Sequence, residues 1–397
     1  MKKICLTVIG LYIGLLAAFS QTVQDSSYQK RRLKIDEINL VSSYYHQNGD
    51  HAAVTGGIGS QKLTDLSNSL EVKLIRLDRQ QRKQTWSVDI GLDHYTSASS
   101  DKIDPKTVTS ASYADTRIYP SVSFSRENEK KGTEWGGGLS FSGEYDYTSI
   151  GANLHGSKKT ANKMGEFTAK GQVYMDRINL IYPIELRDGN STDPLKRGGD
   201  SRNSYSLALS WSQIVNQRLQ VSFLLDLIQQ QGYLSLPFNR VYFSDGTVHV
   251  ERLPDSRFKI PIGFRANYFA GDRFIFRTYY RYYKDSWGLA AHTASLETSI
   301  KLSPFYSLSP FYRYYHQTAI DYFAPYMTHA PGKEFYSSNF DLSQFSSHFF
   351  GGGVRFSPPR GILGIQHLNS LELRYGHYTR SNSLHSNIVS VHLKWKG

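Results

Sequence analysis

Cysteine is almost missing from this 397-residue chain: its one thiol, Cys5, lies in a short apolar stretch behind Met1, Lys2 and Lys3. Without that stretch no thiol remains, which excludes disulfides, thiolate metal sites and cysteine nucleophiles. Long hydrophobic runs are missing too. Beyond residues 4–19 nothing approaches the ~18 apolar residues that a spanning helix needs, so a helical membrane protein is excluded. Catalytic signatures are likewise absent, with no HExxH, GxSxG, P-loop or GxGxxG context. Aromatic residues are plentiful (28 Tyr, 21 Phe, 5 Trp), which excludes a disordered chain. Mean hydropathy is −0.45 and the formal net charge is +12.

The charged start, the short apolar stretch and the small residues Ala18 and Ser20 read as a secretory signal peptide over 1–20, cleaved before Gln21. A periplasmic lead over 21–33 and an outer-membrane barrel over 34–397 are expected to follow.

A period of two runs through the rest of the chain. Trp86, Val88, Ile90 and Leu92 interleave with Ser87, Asp89, Gly91 and Asp93. Phe258, Ile260, Ile262 and Phe264 interleave with Lys259, Pro261, Gly263 and Arg265. Val389, Val391, Leu393 and Trp395 interleave with Ser390, His392, Lys394 and Lys396. Such alternation marks strands whose two faces meet different solvents. The segments run about 10 to 13 residues, long for a soluble sheet and right for a tilted membrane-spanning strand.

Connections alternate between short and long. Short turns are expected near 79–83, 127–132, 215–218, 271–272, 303–305 and 358–361, and long polar loops near 96–113, 177–202, 233–255 and 318–345. Outer-membrane barrels have short periplasmic turns and long external loops. Parity then requires two more strands, supplied by 150–156 and 166–176, joined by a turn at 157–164. With a first strand near 35–45 the total is sixteen, an even number with both termini periplasmic; fourteen results if 35–45 is outside the wall. The expected fold is an all-β transmembrane antiparallel barrel. Under this parity Trp86, Trp135, Trp211 and Trp395 lie outward at periplasmic strand ends as a membrane girdle, and Trp287 falls at the external rim. Barrels commonly end on an aromatic residue read by the barrel-assembly machinery, whereas here Trp395 is followed by Lys396 and Gly397.

Several stretches resemble the domain of unknown function 3570 family of secreted bacterial proteins: KIDEINLVSSYYHQNGDHAAVTGGIG, DHYTSASSDKID, IYPIELR, DYFAPY and RFSPP. The resemblance spans nearly the whole mature chain and implies an outer-membrane barrel of a Gram-negative bacterium, with no assigned activity and no catalytic residues to carry over. Members encoded beside a flavin-transferring lipoprotein and thioredoxin-like proteins imply periplasmic redox partners.

Sixteen strands enclose more space than side chains fill, so a lumen is expected. Its charges are uneven. From Phe258 onward there are 15 Lys/Arg against 7 Asp/Glu, and from Gln21 to Arg257 there are 29 against 27. A basic wall of Arg265, Arg277, Arg281, Arg313, Arg355, Arg374 and Lys394 would face a mixed to acidic wall holding Asp89, Asp93, Glu134 and Glu144. Such a transverse field orients polar solutes and sorts ions, with a modest preference for anions. The alternative is that these charges pair across neighbouring strands and stiffen the wall. YYRYYK and FYRYYH echo one another on two upward strands, placing Arg281 and Arg313 inward and Tyr280 and Tyr312 outward; packing against lipid is favoured over an Arg–Tyr ligand ladder.

The glycine-rich segment around Gly49, Gly56, Gly57 and Gly59 is expected to fold tightly or enter the lumen, and loops 45–65 and 318–345 are the candidate constriction or lid. A structural turn is favoured over a metal site at His46, Asp50 and His51. Asp93, Asp101 and Asp104 form a candidate loose Ca²⁺ site, with a solvated loop favoured and no other cofactor expected. Basic stretches with aromatics also occur in nucleic-acid binders, but a secreted wall facing outer-membrane lipid leaves no nucleic-acid partner. The expected function is a porin-like conduit for small polar or anionic solutes. The alternatives are a structural or docking barrel for a periplasmic redox or export assembly, and a barrel-embedded hydrolase, which would need paired inward Ser and His.

Overall fold

The computed structural model of the protein describes residues 33–96, 114–187 and 199–397. The expected signal peptide and nearly all of the lead lie outside the described residues. No described helix is long and apolar enough to cross a membrane.

Sixteen long antiparallel strands close into one barrel. In chain order the first nine are β1 (Lys34–Asn48), β2 (Leu63–Leu77), β3 (Lys83–Thr96), β4 (Ala114–Asn128), β5 (Thr133–Gly143), β6 (Tyr147–Lys159), β7 (Gly165–Asn179), β8 (Gly199–Asn216) and β9 (Leu219–Gly232). A small hairpin follows, made of β10 (Arg240–Tyr242) and β11 (Val248–Val250), which pair only with each other. The wall resumes with β12 (Ser256–Ala270), β13 (Phe274–Asp285), β14 (Ala290–Lys301), β15 (Tyr306–Gln317), β16 (Phe345–Phe356), β17 (Leu368–Arg380) and β18 (His385–Lys396). Every wall strand pairs with its sequence neighbours, β9 with β12 across the hairpin, and β1 pairs with β18 to close the ring. Closure leaves no edge strand, so the wall's backbone groups pair from strand to strand right round the ring. The strand at 35–45 is therefore in the wall and the count is sixteen, not fourteen.

We call the end where β1 begins and β18 finishes the foot and the opposite end the mouth. Turns at the foot are short except one: the expected tight turn at 358–361 is an eleven-residue connection, 357–367, holding a short 3-10 helix over Ile362–Gly364. Pro358 and Pro359 explain this, since proline cannot donate to a ladder and interrupts pairing. Mouth connections are not all long: 144–146, 286–289 and 381–384 are tight.

One ion pair tells inside from outside. Arg374 on β17 reaches Glu297 on β14 at 2.6 Å although β15 and β16 stand between them. Three strand spacings are about 14 Å along the wall, so the two side chains meet across its concave side. Directly paired residues share a face, and the registers carry this assignment round the ring. Arg277 is paired with Glu297, Ser295 with Arg313 and Arg265 with Tyr279. Across the seam Arg374 leads to Ser390, Ser43, Ser67 and Asp93 in turn. The opposite face carries exposed Val88, Ile90, Leu139, Leu154, Leu207, Phe223, Ile262, Leu373 and Val389.

Three of the four girdle tryptophans are exposed on that outer face: Trp86 at 39%, Trp135 at 53% and Trp211 at 38%. Phe124 lies between Trp86 and Trp135, with ring centroids 4.8 and 5.8 Å away. Trp395 departs from the expectation. It has the outward register but is only 3% exposed, as are its ladder partners Ile38 at 2% and Leu368 at 3%. The 357–367 connection ends against this corner, where His367 O accepts from Lys396 N. Trp287 lies at the mouth but is buried, in a cluster with Leu253, Leu289, Ala291 and Ile320. Its indole N–H donates to Ser256 O, and Arg257 lies over its face at 4.2 Å.

Candidate functional site

The inward registers of β12 to β18 gather most of the lumen-facing arginines of the described wall. Glu297 is their hub, bonded to Arg277 at 2.8 Å and to Arg374 at 2.6 Å; Arg374 also bonds Glu372 at 3.1 Å. Three guanidiniums lie over aromatic rings: Arg313 over Phe349 (4.9 Å), Arg374 over Phe311 (5.5 Å) and Arg265 over Tyr279 (5.6 Å). Phe311 and Phe349 are neighbours across the β15–β16 ladder, with centroids 4.9 Å apart. These groups line a cavity of about 580 Å³. Arg355 lines a second cavity towards the foot, of about 500 Å³, with Lys301, Glu372 and Arg374. Arg281 is placed inward by its pairing with Thr293, and its Nε has no hydrogen-bond partner among the described residues. Lys394 belongs to a separate group at the seam, 2.5 Å from Glu37, which also meets Lys73 at 3.6 Å.

The facing wall, from β2 to β9, is differently built. Asp93 accepts from Ser67 Oγ at 2.5 Å and Tyr119 at 2.9 Å, and Asp89 accepts from Ser121 at 3.2 Å. Glu134 is paired in register with Ser157 and Glu127. Arginines here are neutralised: Arg202 by Asp176 at 2.9 Å, and Arg117 near Glu144 at 3.8 Å. A cavity of about 560 Å³ lies against this wall, lined by hydroxyls including Ser69, Ser121, Ser140, Ser142 and Ser149. On the β2–β9 side the arginines Arg117 and Arg202 thus have local carboxylates while Asp89 and Asp93 are held by hydroxyls, and on the β12–β18 side arginine is in excess.

Glu144 also accepts a hydrogen bond from Tyr95 and lies with Asp115 and Asp146 in a group whose oxygens are all within 4.8 Å of one another. Burial first, then the neighbouring Asp115 and Glu144, pushes the Asp146 carboxyl up to about 6. Of the expected Ca²⁺ group, Asp93 sits on β3, held by Ser67 and Tyr119, and Asp101 and Asp104 lie outside the described residues.

At the mouth, connections from widely separated strands meet. Arg240, on β10 between β9 and β12, is buried and donates to Val54 O, in the β1–β2 connection, at 2.9 Å. It also pairs with Glu185, beyond β7, at 2.5 Å. β9 lies eight strands from β1 in a ring of sixteen, so the Arg240–Val54 contact joins diametrically opposite sides and the cap spans the mouth. Val54, Ile181 and Phe238 form its small apolar centre. Segment 318–344 is laced in by Ser337 Oγ donating to Glu251 at 2.5 Å and by Tyr336 N donating to Arg252 O at 2.7 Å. Burial pushes the Glu251 carboxyl up and the His329 imidazole down.

The glycine-rich segment folds tightly, as expected. Gly57 has φ +85°, and a Cβ there would stand 2.6 Å from Ser338 O, so only glycine lets this loop touch segment 318–344. His51 lies flat on Phe340 with centroids 3.7 Å apart and hydrogen-bonds Gly57 O through Nδ1, so it is a structural part of the cap. Both expected lid loops are in this cap, joined by 233–255, which sequence reasoning treated only as a loop.

The YYRYYK echo resolves into two matching outer-face pairs, Tyr280 with His292 and Tyr312 with His348, each 2.7 Å from hydroxyl to Nδ1. The outward tyrosines thus make local hydrogen bonds and do not form a ladder with the inward arginines. Sequence reasoning missed the inward aromatics Phe311 and Phe349 and the role of Glu297. Phe311 was within reach, because it stands two residues from Arg313 and shares its face.

Residues 15–387 match the family described as protein of unknown function (DUF3570). No curated protein matches the sequence. Among solved structures the chain is similar to OpdK of Pseudomonas aeruginosa with vanillate, at 8% identity and a TM-score of 0.43, over 91% of this chain and 98% of that one. It is similar to a bacterial polysaccharide outer membrane secretin at 11% identity and 0.45, over 91% and 98%. A BenF-like porin from Pseudomonas fluorescens Pf-5 aligns at 10% identity and 0.41, also over 91% and 98%.

Proposed function

The chain belongs to the DUF3570 family of proteins of unknown function, and we propose that it is a porin-like conduit of the outer membrane for small polar or anionic solutes, restricted at its mouth by the cap. The observation carrying this reading is the Arg374–Glu297 bond across the concave side, which marks the enclosed face as charged and the opposite face as apolar. A tube with that polarity suits lipid outside and water within. Photolabelling from the bilayer interior should reach Ile90 and Leu393 and spare Asp89 and Lys394.

Arginine in excess on one wall favours anions. The test is ion current through planar bilayers with a salt gradient. An anion-selective reversal potential is expected; cation selectivity, or no current even after the cap is loosened, overturns the conduit. Outer-membrane lipid and the assembly machinery are its proposed partners.

A second reading, a docking barrel for a periplasmic redox or export assembly, is supported by the cap itself, since loops joined across the mouth suit a closed tube. Co-purification of periplasmic partners with a non-conducting barrel would favour it. The hydrolase reading has less support: among the described residues the side-chain Ser–His bond, His316 to Ser346 at 3.0 Å, stands on the outer face.

A further inference from the structure

Arg265 and Arg313 differ from the other arginines of their wall. Arg277 and Arg374 are occupied by Glu297, whereas among the described residues neither Arg265 nor Arg313 has a carboxylate within 4.0 Å. Each rests against a ring instead, Arg265 on Tyr279 and Arg313 on Phe349. A ring attracts the cation without supplying an oxygen acceptor, so the planar fork of N–H donors remains unspent. A guanidinium fork matches a carboxylate bidentately.

The floor beside these forks is aromatic and apolar. Phe311 and Phe349 lie against Gly376: a Cβ at that position would stand 2.6 Å from the Phe349 ring and 3.3 Å from Phe311. Glycine there lets the two rings settle against the wall. The same cavity of about 580 Å³ thus offers arginine forks, an aromatic face and one carboxylate already bound in the manner a ligand would adopt. Glu297, held between two arginines, shows that this wall accepts a carboxylate.

We propose that the cavity formed by Arg265, Arg313, Tyr279, Phe311 and Phe349 is a binding site for aryl carboxylates, the carboxylate taken by the arginine forks and the flat ring by the phenylalanines. An aliphatic ring of the same charge lacks the planar π face, and an aryl alcohol lacks the anion. This names the solute class of the proposed conduit and rests on that reading for its role in passage, but its detection needs no ion current.

The test is calorimetric titration of the full chain, folded in detergent, with sodium benzoate, sodium cyclohexanecarboxylate and benzyl alcohol. Saturable benzoate binding is expected, with cyclohexanecarboxylate about tenfold weaker and no saturation by benzyl alcohol. The double variant R265Q/R313Q should weaken benzoate by at least about tenfold, and F349L should narrow the gap between the two carboxylates. Heat-modifiable gel mobility checks that the variants are folded; should one fail to fold, the three-ligand comparison on the unaltered protein still decides. Equal affinity for both carboxylates, absence of saturable benzoate binding, or undiminished binding by folded R265Q/R313Q overturns the site. Benzoate binding without ion current, even after the cap is loosened, supports the site and sinks the conduit; anion current without benzoate binding does the reverse.

Discussion

Glu37 and Lys394 face one another across the seam where the first strand meets the last, carboxylate oxygen and ammonium 2.5 Å apart. Lys73 on β2 stands 3.6 Å from the same carboxylate, and Asn39 donates to it at 2.5 Å. The registers give the reason: Glu37 is paired with Lys396 on one side and Lys73 on the other, so it sits between two basic strands at the joint that completes the ring.

Glu37→Gln leaves Lys73 and Lys394 without this shared counter-charge. The expected loss is about 1–3 kcal/mol, because an ionic partner is removed from a half-buried group. Urea unfolding in detergent, followed by tryptophan fluorescence, should show an earlier midpoint. An unchanged midpoint would mean that the seam is held by its ladder alone.

Arg240→Ala should loosen the cap. The side chain is buried, and its removal strands the Glu185 carboxylate and Val54 O together. Glu185 is half exposed and stays solvated, so the main loss is the buried donor to Val54 O, about 1–3 kcal/mol, drawn from the local stability of the cap and not from the wall. Limited proteolysis should cut 233–255 and 318–344 faster, and bilayer current should rise, while heat-modifiable mobility stays unchanged.

Glu297→Gln removes the one carboxylate that two arginines share. Arg277 and Arg374 would both gain unspent donors in a wall already rich in cations. Anion selectivity should increase, read as a larger reversal potential under the same gradient, and the effect should shrink at high salt as screening grows. A shift towards cations would show that the arginines had turned away from the lumen.

The turn at 144–146 should weaken as pH rises. Asp146 titrates near 6 in the fold, above its ordinary 3.8, so its neutral form is favoured. Its contribution is complete below 3.8 and is lost as pH climbs through about 6. The amide of Asn179, which donates to Asp146 O at 2.8 Å, reports on this turn. Its protection from hydrogen exchange, corrected for intrinsic rate, should fall between about pH 4 and about pH 6 and level off above, and Asp146→Asn should flatten that fall.

Ring closure and the inward register of the arginines of the later strands could be read from the chain, because a period of two is written locally; the count was left between sixteen and fourteen, and Arg117 and Arg202 on the facing wall were missed. Arg277, Arg313 and Arg374 could be assigned a face from their neighbours alone. What Glu297 does with them could not, since the bond to Arg374 depends on the curvature that brings β14 and β17 together across the concave side. Trp395 misled for a similar reason: alternation gives its direction, but the 357–367 connection and the corner it forms with Ile38 and Leu368 decide its exposure. The cap was legible only in part. Gly56 and Gly57 announce a tight turn, yet nothing near them in the sequence points to Tyr242, Ser338 or Phe340, which they touch.

A thin-walled cylinder resists stretching along its length far better than being squashed oval. The Arg240–Val54 hook lies along one diameter of the rim, so it works as a tie rod: flattening that would lengthen this diameter must first pull the hook apart. Any force that flattens the opening is therefore borne partly by a single guanidinium, and the roundness of the opening is set by chain that lies outside the wall.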